Sequence, residues 1–154
     1  MDITTINSYN QEAEKIVKLH ASLTPHRIYE LIDQYFIKGK LTADIGCGIG
    51  RDTNFLNNHG FSVVGVDASE GMLKQAQQLY PNLNFQCDYL PSLTTLENLK
   101  FQNILCSAVL MHLNENTIEK ACLRLMELLK KDGRLIISIR STNEKDKREN
   151  GKLY

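Results

Sequence analysis

The stretch Leu41-Thr42-Ala43-Asp44-Ile45-Gly46-Cys47-Gly48-Ile49-Gly50-Arg51-Asp52 constrains the rest of the chain. Leu41 to Ile45 reads as a short buried strand, and glycines at alternate positions then lead into a helical segment from Arg51. A strand runs into a glycine turn and out into a helix. Glycines at such a turn supply backbone angles closed to other residues, or let a ligand lie against the main chain with no Cβ between. The turn is a candidate ligand floor. Two phosphate-binding patterns do not fit it: no Lys follows Gly50, as G-x-x-x-x-G-K-[ST] requires, and G-x-G-x-x-G would need a glycine where Arg51 stands.

Strand and helix signals alternate along the chain. Tyr9 to Leu23 carry Ala13, Ile16, Leu19 and Leu23 on one helical face, and a second helix, with Pro25 in its first turn, carries a stripe of Ile28, Leu31, Ile32, Tyr35 and Phe36 up to Gly39. Beyond the first strand, Arg51 to Asn58 form a helix closed by Gly60, and Phe61 to Asp67 form a near-continuous apolar second strand. Ser69 caps a helix through Tyr80, with Met72, Leu73, Ala76 and Leu79 inward and Pro81 after it. Leu83 to Cys87 and Phe101 to Ser107 are the third and fourth strands. A helix from Asn114 to Lys131 should place Lys130 and Lys131 in its last turn and Gly133 at its C-terminal cap, before a fifth strand from Leu135 to Ile139. This alternation predicts an α/β fold: a doubly wound parallel sheet of about five strands, order 3-2-1-4-5, with helices on both faces and ligands at the strands' C-terminal ends.

Length and charge bound the partners. The 154 residues suit a single domain, large enough to bury roughly two thirds of its unfolded surface. Lysine plus arginine balance aspartate plus glutamate, 18 against 18, so no broad basic field points to nucleic acid, and a small molecule is the more natural partner. Met1 to Asn10 lack the basic start and apolar run of a signal peptide, and no apolar run nears the ~18 residues of a membrane span, so the reading is cytoplasmic. Cys47, Cys87, Cys106 and Cys122 form no C-x-x-C pair and read as small buried apolar residues kept reduced. No metal-ligand cluster is evident. From Ser141 onward the chain turns polar and reads as a flexible tail.

Asp67 ends the second strand 21 positions after Gly46, where doubly wound nucleoside binders place an acid that accepts from both ribose hydroxyls. Its rival role is a helix N-cap or a surface acid. Asp44, inside a buried strand, would be costly without a cationic partner or backbone donors.

The order Asp44, Gly46, Gly48, Gly50 and then Asp67 resembles motif I and the following acid of the class I S-adenosylmethionine-dependent methyltransferases, and the likeness runs from about Tyr9 to Arg140. It implies S-adenosyl-L-methionine as cofactor, S-adenosylhomocysteine as product and a small-molecule acceptor. By the same resemblance, Asp44 lies near the methionine ammonium, Cys47 offers its backbone, and Ala68, Ser69 and Met72 lie along the adenosine. Asp88 bonds the adenine amino group, with Cys87 and Tyr89 or Leu90 beside the ring. Ser107 and Ala108 open the segment that borders the methyl group. There His112 is either a general base or a cap for the next helix, since imidazole titrates near neutrality. Tyr9 either lids the cofactor or only packs, and Arg51 either reaches the cofactor carboxylate or stays on the surface.

The family's sheet normally adds two strands that this chain lacks, which reads as truncation and leaves the fifth strand an exposed apolar edge open to self-association. Two other classes stay open. One is a nicotinamide oxidoreductase, and the other is a methyltransferase-like binding or scaffold protein without activity.

Overall fold

A strand covered on both faces is buried along its length, and β1 (Leu41–Ile45) has four buried residues in succession after Leu41, the polar Thr42 and Asp44 among them. The computed structural model describes residues 3–11, 24–139, 148–149 and 152–153. In it β1 is the centre of a five-stranded, all-parallel sheet with β2 (Ser62–Asp67), β3 (Asn84–Cys87), β4 (Phe101–Ser107) and β5 (Leu129–Ser138). The strand order is β3-β2-β1-β4-β5, as the sequence predicts. The chain steps outward to β3 on one side of β1 and then crosses to β4 and β5 on the other. The crevice of a doubly wound sheet therefore opens above β1 and β4, where the glycine turn begins.

Alternation along β4 divides the core between two layers. Leu105 faces α2 (His26–Tyr35) and α3 (Arg51–Asn58), packing with Ile32, Phe36, Leu56 and Phe61. Ile104 and Cys106 face Ala121, Leu125 and Leu128 of α5 (Glu115–Leu128), together with Leu90, Leu93 and Leu96 of the loop after β3. Asn103, fully buried in β4, would be costly alone. Its amide instead accepts from the Ile37 N–H at 2.9 Å and donates to the Ile37 carbonyl and the Thr42 hydroxyl, both at 3.0 Å. That side chain ties the connection ahead of β1 to the sheet, and so fixes where the glycine turn begins.

Residues 3–11 are helical (α1), so the first helix starts ahead of Tyr9; Ala13, Ile16, Leu19 and Leu23 lie outside the described residues. α2 ends at Tyr35 rather than near Gly39, and Tyr35 is exposed, as is Leu79 at the end of α4 (Glu70–Leu79). Cys87 is exposed as well, at the end of edge strand β3, against the expectation of four buried cysteines.

The largest difference lies at the end of α5. The helix stops at Leu128, and Leu129 already has extended angles and pairs with Phe101. Lys130 and Lys131 belong to a bulge in which Asp132 takes φ +63, after which Arg134 resumes pairing with Asn103. Gly133 serves this bulge rather than a helix cap: a Cβ there would lie 2.9 Å from both Leu129 Cδ2 and the Lys130 carbonyl oxygen. The helix C-terminus still meets a cation, but from elsewhere, because the Lys100 ammonium donates to the Glu127 carbonyl. At the far end of the chain, Arg148–Glu149 and Lys152–Leu153 form a short antiparallel pair separate from the main sheet, where the sequence suggests only a tail. No helix among the described residues is long and apolar enough to cross a membrane.

Candidate active site

The glycine turn is fastened to β2 before it reaches any ligand. The N–H groups of Gly46 and Cys47 both donate to the Val66 carbonyl, at 2.7 and 3.0 Å, and Gly50 N–H donates back to the Cys47 carbonyl at 2.9 Å. Gly46, Gly48 and Gly50 all have positive φ, the region that a Cβ disfavours. The space below Gly46 is not left for a ligand, because a Cβ there would lie 2.1 Å from Val109 Cγ2. Val109 packs against the turn itself. Cys47 is buried with its N–H spent on β2, so it offers no backbone donor upward.

Asp67 connects the turn to the next helix. Its carboxylate accepts from Gly48 N–H and from Ser69 N–H, each at 2.8 Å. Burial raises its pKa, and the N–H groups of Ser69, Gly48 and Ala68 oppose that shift. The acid does not cap α4, since the Ser69 hydroxyl does so by accepting from Met72 N–H at 3.1 Å. Its carboxylate is aimed at the glycine turn.

Asp44 is nearly inaccessible, and the Thr53 hydroxyl donates to it at 2.6 Å. Burial and the neighbouring Asp52 and Asp67 push its pKa up to about 8, against the opposing pull of Thr53 and Arg51. Gly65 of β2 makes room for this pair: a Cβ there would come within 2.9 Å of Thr53 Oγ1 and 3.0 Å of Cys47 Sγ. Arg51 turns to Asp52, donating through Nε at 2.8 Å and Nη2 at 3.1 Å, and the Tyr29 hydroxyl donates to the same carboxylate at 2.8 Å. Its guanidinium sits in a cluster that also joins α2 to α3, where Tyr29 stacks on Phe55 at 3.6 Å.

Asp88 organises the loop after β3. It accepts from Tyr89 N–H and Thr95 N–H, each at 2.7 Å. Burial works to raise its pKa, but these donors outweigh it and hold the acid below its ordinary value. Cys87 is exposed beside it, and Ser107 turns toward β5, its hydroxyl 2.9 Å from that of Ser138. Ala108 takes φ +56, a left-handed angle for a non-glycine residue, with its N–H held by the Ser138 carbonyl at 2.9 Å.

Two small hollows flank Val109. The larger, about 70 Å³, is lined by Ile6, Tyr9, Gly46, Asp67, Ala68, Ser69, Ala108, Val109 and His112. The smaller, about 10 Å³, lies among Ile45, Gly46, Val66, Asp67, Ala68, Asp88, Tyr89, Leu90 and Val109. Of the residues singled out in the sequence, Tyr9, Gly46, Asp67, Ala68, Ser69, Asp88, Tyr89, Leu90, Ala108 and His112 meet at these hollows. Asp44, Cys47, Gly48, Gly50, Arg51, Met72, Cys87 and Ser107 are not among the residues that line them. Met72 packs with Ile49 and Tyr9. His112 presents its ring to Tyr9 edge-on, centroids 5.9 Å apart. It does not cap α5, because Asn114 does, accepting from Thr117 N–H at 3.1 Å. Ile6 escapes sequence reasoning, since an isolated aliphatic residue carries no signal until the fold places it, and so does the packing of Val109 against Gly46. Among the described residues no group of three or more His, Cys, Asp or Glu could hold a metal ion.

The sequence profile of a methyltransferase domain matches residues 43–133. The chain belongs to the class I S-adenosylmethionine-dependent methyltransferases. It is 33% identical over 138 residues to a ubiquinone biosynthesis O-methyltransferase of Coxiella burnetii, covering 86% of this chain and 57% of that protein. A putative methyltransferase of Geobacillus sp. is 32% identical over 126 residues, covering 77% of this chain and 50% of its own. The chain thus spans about half the length of these curated relatives. A TehB-like S-adenosylmethionine-dependent methyltransferase from Corynebacterium glutamicum superposes with a TM-score of 0.69 at 26% identity, over 88% of this chain and 73% of that one. The methyltransferase cofactor fits the residues at hand: an acceptor carboxylate at the end of β2, and an apolar slot of Ile45, Val66, Leu90 and Val109 beside the acid that ends β3.

Proposed function

We propose that this methyltransferase domain binds S-adenosyl-L-methionine and transfers its methyl group to a small-molecule acceptor. One observation carries the reading: the Asp67 carboxylate is aimed at the Gly48 N–H and at the same time lines the larger hollow. When bound, the cofactor supplies a methyl group activated on a sulfonium. Asp67 accepts from the ribose hydroxyls, the slot beside Asp88 and Leu90 takes the adenine, and buried Asp44 answers the ammonium from beneath the turn. Tyr9 closes the pocket from α1. His112, at the wall nearest the end of β4, orients the acceptor or takes its proton. Placement supplies most of the rate, since near-attack alignment alone can be worth about 7–11 kcal/mol.

Calorimetric titration tests the cofactor part. S-adenosylhomocysteine should bind and NAD should not, while binding of NAD alone would reject the proposal. Methyl transfer to a panel of phenols and amines tests the rest, and binding with no transfer by a longer chain would leave a cofactor-binding protein without activity. We also propose that the outer edge of β5, where Ile137 and Ile139 are exposed, pairs with a second copy. Light scattering should then show dimers or larger species at high concentration, and a clean monomer would overturn that pairing.

A further inference from the structure

One side chain of the N-terminal helix bonds directly to the helix that borders the pocket. The Asn10 amide oxygen accepts from the Ser69 hydroxyl at 2.6 Å and from the Gly71 N–H at 2.9 Å. Gly71 lies in the first turn of α4, where N–H groups have no partner within the helix. Asn10, 61 positions earlier, satisfies this one. The same Ser69 hydroxyl caps α4 through Met72 N–H, so the cap and the contact to α1 share one group.

Gly71 supplies the second half of the contact. A Cβ there would lie 2.9 Å from Asn10 Cα and 3.0 Å from the Asn10 carbonyl oxygen. Both are main-chain atoms, so only a shift of α1 and α4 relative to each other could relieve the clash. An acceptor placed on the helix start, and a missing side chain beneath it, serve the same docking of α1 on α4.

This docking sets one wall of the pocket. Ile6 and Tyr9 of α1 line the same hollow as Asp67, Ser69 and His112. We propose that Asn10 and Gly71 form a latch that holds α1 shut over the pocket and sets the rates of cofactor entry and product release. The identity of the ligand rests on the function proposed above, whereas the latch is a property of the two helices.

Two variants on opposite helices test it. Asn10→Ala removes the acceptor. Gly71→Ala wedges the helices apart while improving the helix propensity of α4 itself. Stopped-flow displacement of S-adenosylhomocysteine should show release at least about fivefold faster in each, as expected for loss of one or two modest hydrogen bonds. The double variant should release no faster than the faster single one, because both break the same contact. Hydrogen exchange should rise at residues 5–11 in both variants and stay unchanged in β1 and β4, which separates a latch from general destabilisation. Asn10→Asp keeps an acceptor oxygen and should stay within about twofold of the parent release rate. Unchanged release and exchange in Asn10→Ala, or Asn10→Asp behaving like Asn10→Ala, would overturn the latch. If the parent chain binds no S-adenosylhomocysteine, the ligand assignment falls, and exchange at residues 5–11 decides the latch alone.

Discussion

Asp67→Ala is expected to weaken S-adenosylhomocysteine binding at least about a hundredfold and to lower the unfolding free energy by roughly 2–5 kcal/mol. The two losses have separate origins. On the protein side, the carboxylate accepts from the N–H groups of Gly48 and Ser69, and removing it strands two donors at the junction of the glycine turn and α4. Each unsatisfied buried donor costs about 1–3 kcal/mol. On the ligand side, a carboxylate has about four acceptor positions, so two well-formed backbone bonds leave capacity for hydroxyls arriving from the pocket that Asp67 lines. Loss of two charge-assisted bonds worth roughly 1.5–3 kcal/mol each accounts for the hundredfold, and loosening of the turn adds to it. Urea denaturation and calorimetry measure the two effects independently. A variant that is destabilised but binds as well as the parent would confine Asp67 to holding the turn; one that binds poorly at full stability would refute the anchoring of Gly48 and Ser69.

The layout of the sheet was legible because it is written in local signals. Leu41–Ile45, Arg51–Asn58 and Phe101–Ser107 occur where apolar runs and glycine punctuation put them. Asp67 was legible for a related reason, since a fixed distance from the glycine turn places a residue at the end of the neighbouring parallel strand. What could not be read depends on contacts between distant segments. Lys130, Lys131 and Gly133 look like a helix end by composition, yet pairing of Leu129 with Phe101 draws the chain into β5 first. Tertiary pairing overrides the propensity of a few residues. The glycines show both sides: the positive φ values hold and Gly46 lines both hollows, but the room its missing Cβ leaves is filled by Val109, far along the chain. Arg51 is the same kind of case, since its engagement with Asp52 and Tyr29 requires α2 to lie against α3.

Stability of the ligand-free protein should fall as pH rises from about 4 to about 8, and Asp44→Asn should remove much of that slope. Asp44 has an ordinary pKa of 3.8 in the unfolded chain and about 8 in the fold, because burial and the charges of Asp52 and Asp67 penalise its ionised form. Below the lower value both states hold the proton, and Asp44 costs nothing. Between the two values the unfolded chain releases the proton while the fold retains it, so unfolding is favoured more with each step in pH, and above about 8 the effect levels off. Asp67 shifts in the same direction and adds to the trend. Asp88 shifts the opposite way and acts only in more acidic solution. The amide that replaces the Asp44 carboxyl in this variant still accepts from Thr53 but has no proton to lose. Asp44→Asn should therefore match the parent near pH 4 and exceed it increasingly as pH rises toward 8. Parallel urea-denaturation curves for the two proteins across this range would show that Asp44 titrates normally and that its burial carries no electrostatic cost. A cation brought close to Asp44 should reverse the balance, because attraction favours the ionised carboxylate. Binding of S-adenosylhomocysteine, whose ammonium is assigned to this acid, should then release a proton below pH 8. Calorimetry in buffers of different ionisation enthalpy reads that release directly, and its persistence in Asp44→Asn would move the ammonium to another partner.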